Sequence, residues 1–391
     1  VKSPIGSFSS EAVKGVAAPF LDDRLAALDR AEQSEFPTPD EEIWRYSRID
    51  ELDLGNYTAT TLDTTVTGDA ALLPTITDLD AYPQLDIAAP DLFAELNAAF
   101  AVPTVVAVPA GKTIAEPIVI THVVPNATAE GAPAVFARTF VDVGEDAEVT
   151  VIERFTGGDG ALAVPVVQIR AAGAARVRYL AVNDLAATAW QIGHQQATGD
   201  ADSTVELNTV AFGGYYARTR TEAQIVGRGA TTKQTALYFA DGDQMHDFRT
   251  IQDHDAAHGD SELLFKGAVQ DQSASVYTGL IKIRPGARGT NAFQTNRNLT
   301  LGAGSWAKSV PNLEIEDNDV RCSHASTVGP IDPEHRFYLE SRGVPTAVAE
   351  RLIVLGFFDE VLAKLPAADL AAELRQRVAD KFDPAKLDRT E

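Results

Sequence analysis

The sequence predicts a mainly β protein whose core is a stack of short coils, flanked by N-terminal and C-terminal α-helical regions. Three observations carry that expectation. From about Pro103 to residue 330, β-branched runs such as Glu148-Val149-Thr150-Val151-Ile152 and Arg176-Val177-Arg178-Tyr179-Leu180 alternate with Gly, Asn and Asp. Glycines preceding such runs fall at Gly144, Gly173, Gly199, Gly227, Gly259 and Gly286, separated by 29, 26, 28, 32 and 27 residues. That near-constant spacing suits coils that each touch only their neighbours. No helix-period segment of useful length interrupts the stretch, which argues against βαβ units. Strands about 4.8 Å apart would make a rod of about eight coils, roughly 40 Å long. On periodicity alone a large jelly roll or sandwich is the alternative. The open ends of a coil stack need a cap or a partner.

The domain reading is residues 1–103 for the N-terminal helical region, 104–330 for the coil core and 331–391 for the C-terminal helical domain. In the first, Glu11 to Gln33 places Val13, Val16, Phe20, Leu21, Leu25 and Leu28 at three- and four-residue steps, as one amphipathic helix requires. A second helix start is written at Thr38-Pro39-Asp40-Glu41, a capping box with a first-turn proline, followed by Ile43, Trp44 and Tyr46. Residues 58–80, rich in Thr and Asp, read as a loop or linker, and Asp91 to Phe100 as a short helix. In the third region Asp332-Pro333 caps a helix that Gly343 stops. Pro345 opens another that runs to Leu365, and a third spans about Asp369 to Phe382. The middle helix is apolar on more than one face at Leu352-Ile353-Val354-Leu355-Gly356-Phe357-Phe358, which fits burial among helices or the docking of a partner.

Composition narrows the function classes. The 391 residues allow two to three domains or one long solenoid. With 56 acidic against 33 basic residues, of which 10 are lysines, the net charge is −23. Phosphate backbones would repel such a chain, so no nucleic acid is expected as a partner. No apolar run approaches 18 residues, so no membrane span is expected. The start, Val1-Lys2-Ser3-Pro4-Ile5-Gly6, lacks the pattern of a secretion signal. Cys322 is the single cysteine. It can form no internal disulfide, which suits a reducing cytosol, and a cytoplasmic location is the expectation. Nor can it hold an iron–sulfur cluster alone, since such clusters usually take about four thiolates.

Three motifs bear chemistry. Ala107-Val108-Pro109-Ala110-Gly111-Lys112-Thr113 has the end of a phosphate-binding loop, but Val106 stands where that loop needs a glycine, so a turn entering the coils is expected. Asp241, Asp243, His246, Asp247, Asp253, His254, Asp255, His258 and Asp260 form a dense acid and histidine row. On a strand the histidines spread over many ångströms; brought together, they would suit zinc or iron. The same carboxylates could serve as the acid/base pair of a carbohydrate-cutting enzyme on stacked coils. Val320-Arg321-Cys322-Ser323-His324 is the sharpest feature. On a strand Cys322 and His324 point the same way, roughly 7 Å apart. Arg321 and a nearby imidazolium would depress the thiol pKa, and two ligands are too few for a closed metal site. A buried thiol beside a hydrogen-bonded histidine is the plainer reading.

The stretch Leu264-Phe265-Lys266-Gly267, Val276-Tyr277-Thr278-Gly279, Gln294-Thr295-Asn296-Arg297-Asn298-Leu299 and Pro311-Asn312-Leu313-Glu314-Ile315 resembles the shared core of the SufB/SufD family. So do Asp319 to His324, Thr327-Val328-Gly329 and Phe337-Tyr338-Leu339-Glu340-Ser341-Arg342-Gly343, and near the start Pro37-Thr38-Pro39 with Glu42-Ile43-Trp44-Arg45-Tyr46. Ala325-Ser326 departs from the family's usual Gly-Ala. Within the family the chain is similar to the shorter sibling type, because SufB chains are longer and carry further cysteines. The resemblance implies a parallel β-helix core and a non-enzymatic scaffold subunit of the SUF iron–sulfur cluster assembly machinery. It implies pairing with SufB through the β-helix and binding of the SufC ATPase through the C-terminal helices, with ATP-driven movement rearranging the SufB interface. His324, with Cys322 beside it, is then the position contributed to an iron or cluster site shared with SufB. No cofactor is expected to stay bound to the chain alone. Leu352, Leu355, Phe357 and Phe358 become the expected SufC-docking residues, and a homodimer is the expected alternative when SufB is absent.

Overall fold

The computed structural model describes residues 5–73, 89–366 and 368–387. Its core is a parallel β-solenoid of about seven turns, against the eight expected. Each full coil contributes one strand to each of two sheets. One sheet stacks Arg176–Leu185, Thr204–Ala211, Thr231–Ala240, Asp260–Val269, Thr290–Thr300 and Val320–Gly329. The other stacks Trp190–Gly199, Tyr216–Ile225, Met245–His254, Ala274–Ile283 and Trp306–Ile315. Register partners Arg176, Thr204, Thr231, Asp260, Asn291 and Arg321 lie 27 to 31 residues apart, the period that the sequence displays. These ladders are parallel throughout, which removes the jelly roll and the sandwich.

The corners explain the period. Asp146, Ala174, Asp202, Gly229, His258 and Gly289 all adopt positive φ, and the N–H of each donates to a carbonyl of the next coil at 2.6–3.1 Å. Most of the glycines marked by sequence therefore sit beside the left-handed positions and not on them; Gly286, at φ 90°, is the exception. Gly227 serves close approach instead: a Cβ there would come 1.9 Å from the Ala201 nitrogen of the coil below.

The N-terminal region departs from the expectation of two long helices. The first splits into α1 (Ser10–Gly15) and α2 (Leu21–Gln33): Val16 leaves the helix in an extended conformation, and Phe20, left-handed at φ 63°, stands at the start of the second. The buried Arg24 holds the break, donating to the carbonyls of Val13, Val16, Ala18 and Ala99. At Thr38 only half of the capping box forms, the Thr38 N–H donating to Glu41 at 2.8 Å. A single 3-10 turn, Glu42–Trp44, follows in place of a helix. The carbonyls of Ile43 and Arg45 are taken by Arg218 and Arg249 of the solenoid, and Trp44 is buried under the Arg218 guanidinium at 3.8 Å. Tertiary partners thus outbid the helix. The expected loop at 58–80 carries a strand, Asp63–Thr67, with Tyr57–Ala59 just before it; residues 74–80 lie outside the described residues. Asp63–Thr67 pairs antiparallel with Ile118–Val124 and covers the first edge of its sheet. Asp91 caps α3 (Leu92–Phe100) as expected.

Asp332 caps α4 (Pro333–Glu340), and Gly343, at φ 84°, ends that turn of chain. Two longer helices follow, α5 (Thr346–Leu362) and α6 (Ala368–Lys381). They lie on the outer face of the first sheet. Val354, Phe358, Val361, Leu374 and Val378 share one buried cluster with Leu180, Val210, Leu237 and Phe239. Polar contacts pin the same interface. Lys381 Nζ donates to the Phe212 carbonyl, Asp241 and Gln244, and Lys266 Nζ donates to the Phe357 carbonyl beside Glu360.

Candidate functional site

The solenoid ends in a bare coil. Among the described residues Trp306–Ile315 pairs only with Ala274–Ile283, and Val320–Gly329 only with Thr290–Thr300, so both sheets end there in an unpaired edge. Trp306, Leu313, Ile315 and Val328 are exposed there, with Phe293 one coil below. Long unpaired edges with apolar side chains ask for a partner.

Cys322 and His324 lie on this last strand. Their register partners are the buried, inward-facing Ala292 and Gln294, so both point into the lumen at its open mouth. Arg321, one residue away, faces the opposite side. It does not depress the thiol: burial pushes the Cys322 pKa up, a backbone hydrogen bond from Ala292 offsetting this only partly. Cys322 is half-buried and His324 exposed. Among the described residues no group of three or more His, Cys, Asp or Glu comes together to hold a metal ion. A thiol and an imidazole are both metal-ligand types, but two such groups do not complete a coordination shell. Sequence reasoning passed over Gln294 and Ser309, which line the same mouth with buried polar atoms that have no partner. Their period-2 alternation with outward residues was the available signal.

Comparison with known proteins bears directly on this end of the molecule. The SufBD core domain of SUF system FeS cluster assembly matches residues 125–357, which include both edge strands. A SufBD family iron–sulfur cluster assembly protein of Mycobacterium tuberculosis is 34% identical over 369 residues, covering 89% of this chain and 90% of the relative. The chain belongs to the SufB/SufD family. Relatives within it include the SufD of Escherichia coli, 29% identical over 281 residues, 71% of this chain and 66% of that protein. The SufD of Bacillus subtilis is 33% identical over 186 residues, 47% and 38% of the two chains.

In this SufB/SufD-family chain the acidic and histidine row does not form a site. His246 and His254 are buried at opposite ends of Met245–His254, bonded to the Gly213 carbonyl and the Ser261 hydroxyl, while His258 is an exposed corner residue. The carboxylates are committed elsewhere: Asp241 to Lys381, Asp247 to Arg218 and Arg249, Asp253 to Arg284 and Asp260 to Asn291. Among the described residues no zinc or iron centre is assembled here, because the coil spreads these residues over its wall and corners. Residues 107–113 are a turn, with Gly111 at φ 69°. No helix among the described residues is long and apolar enough to cross a membrane.

The buried histidines make acid stability measurable. Burial pushes His246 down to about 3 and His254 to about 4, although Asp253 and Asp260 pull the latter up. Between pH 6.5 and about 4 the unfolded chain binds protons that the folded chain refuses, so stability falls as pH falls through that window. Each histidine contributes up to roughly 1.4 kcal/mol per pH unit. Urea unfolding at several pH values should show this slope, and His254→Gln should flatten it.

Of the expected docking residues, Phe358 and Leu355 are buried against the solenoid, and Phe357 is half-buried with Lys266 over its ring. Only Leu352 is open, at 48%. Open apolar side chains lie instead on α4, where Phe337 is 70% and Tyr338 56% exposed, with Val348 of α5 also open.

Proposed function

We propose that this chain is the SufD-type scaffold of a SUF assembly complex, holding partners in place and performing no turnover of its own. Its open end pairs with SufB, and His324, with Cys322 beside it, lends ligands to a nascent iron–sulfur cluster that SufB completes. The observation that carries this reading is the uncapped last coil, which exposes two strand edges and an inward-facing Cys–His pair. A site lacking ligands and an edge lacking a strand are supplied together by one partner. The relatives named as iron–sulfur cluster assembly protein SufD support the same assignment. The compartment that fits is the cytoplasm.

SufC docking is assigned to Phe337, Tyr338, Val348 and Leu352, the open apolar residues of α4 and α5. Fully burying such a side chain yields roughly 1.5–3 kcal/mol. The double variant Phe337→Asp, Leu352→Asp should weaken SufC capture at least tenfold, with little change in melting temperature because neither residue supports the fold. Co-expression of tagged chain with SufB and SufC, followed by subunit stoichiometry, tests the whole reading. An assembly holding all three is the expected result. A homodimer that ignores SufB would show the open end paired with a second copy and defeat the proposal.

A further inference from the structure

We propose that Gln294 is a positioning residue for His324. Its amide carbonyl accepts a hydrogen bond from the imidazole N–H that faces the lumen, leaving the other nitrogen bare and turned toward the open end. The proposal rests on the reading of that end as a ligand-bearing interface, but the contact lies within this chain.

Gln294 sits on Thr290–Thr300, is 2% exposed, and finds no partner among the described residues for either amide atom. An interior amide in that state is uncommon and calls for an explanation. Its neighbours on the same face show how the fold satisfies such groups. Asn298 Nδ2 donates to Asn296 Oδ1 at 2.8 Å, Asn296 Nδ2 to the Tyr238 hydroxyl oxygen at 3.1 Å, and that hydroxyl to Asn298 Oδ1 at 2.7 Å. Gln294 stands outside this closed ring.

Space has been left for it. On the opposite wall lies Gly279, where a Cβ would come 2.8 Å from Gln294 Oε1 and 2.1 Å from the Tyr277 hydroxyl oxygen. Any side chain at Gly279 would fill the ground that the amide occupies. Ser309, the register partner of Tyr277 one coil further out, adds a second buried atom with no partner, its Oγ. The mouth of the lumen therefore has a polar floor whose hydrogen-bonding capacity is unspent.

His324 is the register partner of Gln294 on the last coil, one strand spacing of about 4.8 Å away, and its side chain points to the same lumen. It is exposed, so its ring is free to turn toward the amide. A neutral acceptor behind an imidazole fixes which nitrogen carries the proton, and so which lone pair is offered forward to a metal-bearing cargo.

The test uses the full chain, labelled with nitrogen-15 in its histidine rings, without partners. Long-range proton–nitrogen spectra report the tautomer of each ring, and His324→Ala identifies the His324 signals. Wild-type chain should show one dominant His324 tautomer. Gln294→Met, which keeps the length but removes both polar atoms, should move those signals to the averaged positions of a free imidazole. Gln294→Glu, which keeps the acceptor, should retain the single tautomer. If Gln294→Met fails to fold, Gln294→Ala carries the same comparison. Identical His324 ring signals in wild type and the apolar variant would overturn the proposal while leaving SufB pairing untouched. Conversely, failure to pair with SufB would leave the ring signals as expected.

Discussion

Asp247→Ala should destabilise the protein by about 3–5 kcal/mol, the range for removing one partner from a buried ion pair. Asp247 is fully buried and accepts from the Tyr216 hydroxyl at 2.7 Å, from Arg218 at 2.8 Å and from Arg249 at 2.8 Å. Burial pushes its carboxyl up, but Arg218 and Arg249 more than offset this and hold it below the usual carboxylate range. Without the carboxylate, two guanidinium groups remain in the interior without their hydrogen-bonded counter-charge. The damage reaches the N-terminal region, because those arginines also bind the carbonyls of Ile43 and Arg45 and support Trp44. Urea unfolding gives the loss directly, and early proteolysis near Trp44 should accompany it. The carboxylate's own contribution is present above the unfolded pKa and disappears as pH falls through the lower folded value, adding to the histidine slope.

Phe358→Ala should cost about 3–5 kcal/mol, the usual penalty for emptying a large aromatic site in a core. The ring is fully buried, stacks on Phe239 of the solenoid at 6.3 Å and meets Phe357 edge-on at 5.0 Å. Its removal opens a cavity where α5 lies on the sheet. Amide exchange should accelerate through α5 and α6 before the solenoid is affected. Any loss of SufC capture in this variant would follow from loosened helices. The exposed pair Phe337 and Leu352 separates the two causes, since their replacement should weaken capture without that acceleration.

The period of the solenoid was legible because every coil repeats the same inward and outward alternation, so Val149, Val177 and Val205 fall in register on one interior wall. Its corner chemistry was not, because Asp146, Ala174, Asp202 and His258 take left-handed conformations in which glycine is the usual signal. Stacked N–H to carbonyl bonds hold these residues there, and such bonds exist only once the next coil is laid down. The helix expected after Thr38 failed for a related reason. Its local signals were sound, but Arg218 and Arg249, some 175 to 204 residues away, took the carbonyls that it needed.

The site divides the same way. The shared face of Cys322 and His324 follows from strand period alone, whereas the exposure of that strand follows from its being last in the stack. Phe358 and Leu352 look alike in an apolar helix. Only the sheet beneath α5 decides which is core and which is surface. Gln294 gave no local sign of being unpartnered, since Asn296 and Asn298 beside it read the same and are fully bonded.

Hydrogen–deuterium exchange of the chain with and without SufB tests the central claim most directly. The unpaired edges predict that SufB slows exchange in Trp306–Ile315 and Val320–Gly329, the last strands of the two sheets, and leaves Asp63–Thr67, the strand at the opposite end of its sheet, unchanged. A stable complex in which those two edge strands exchange as fast as they do alone would contradict the account.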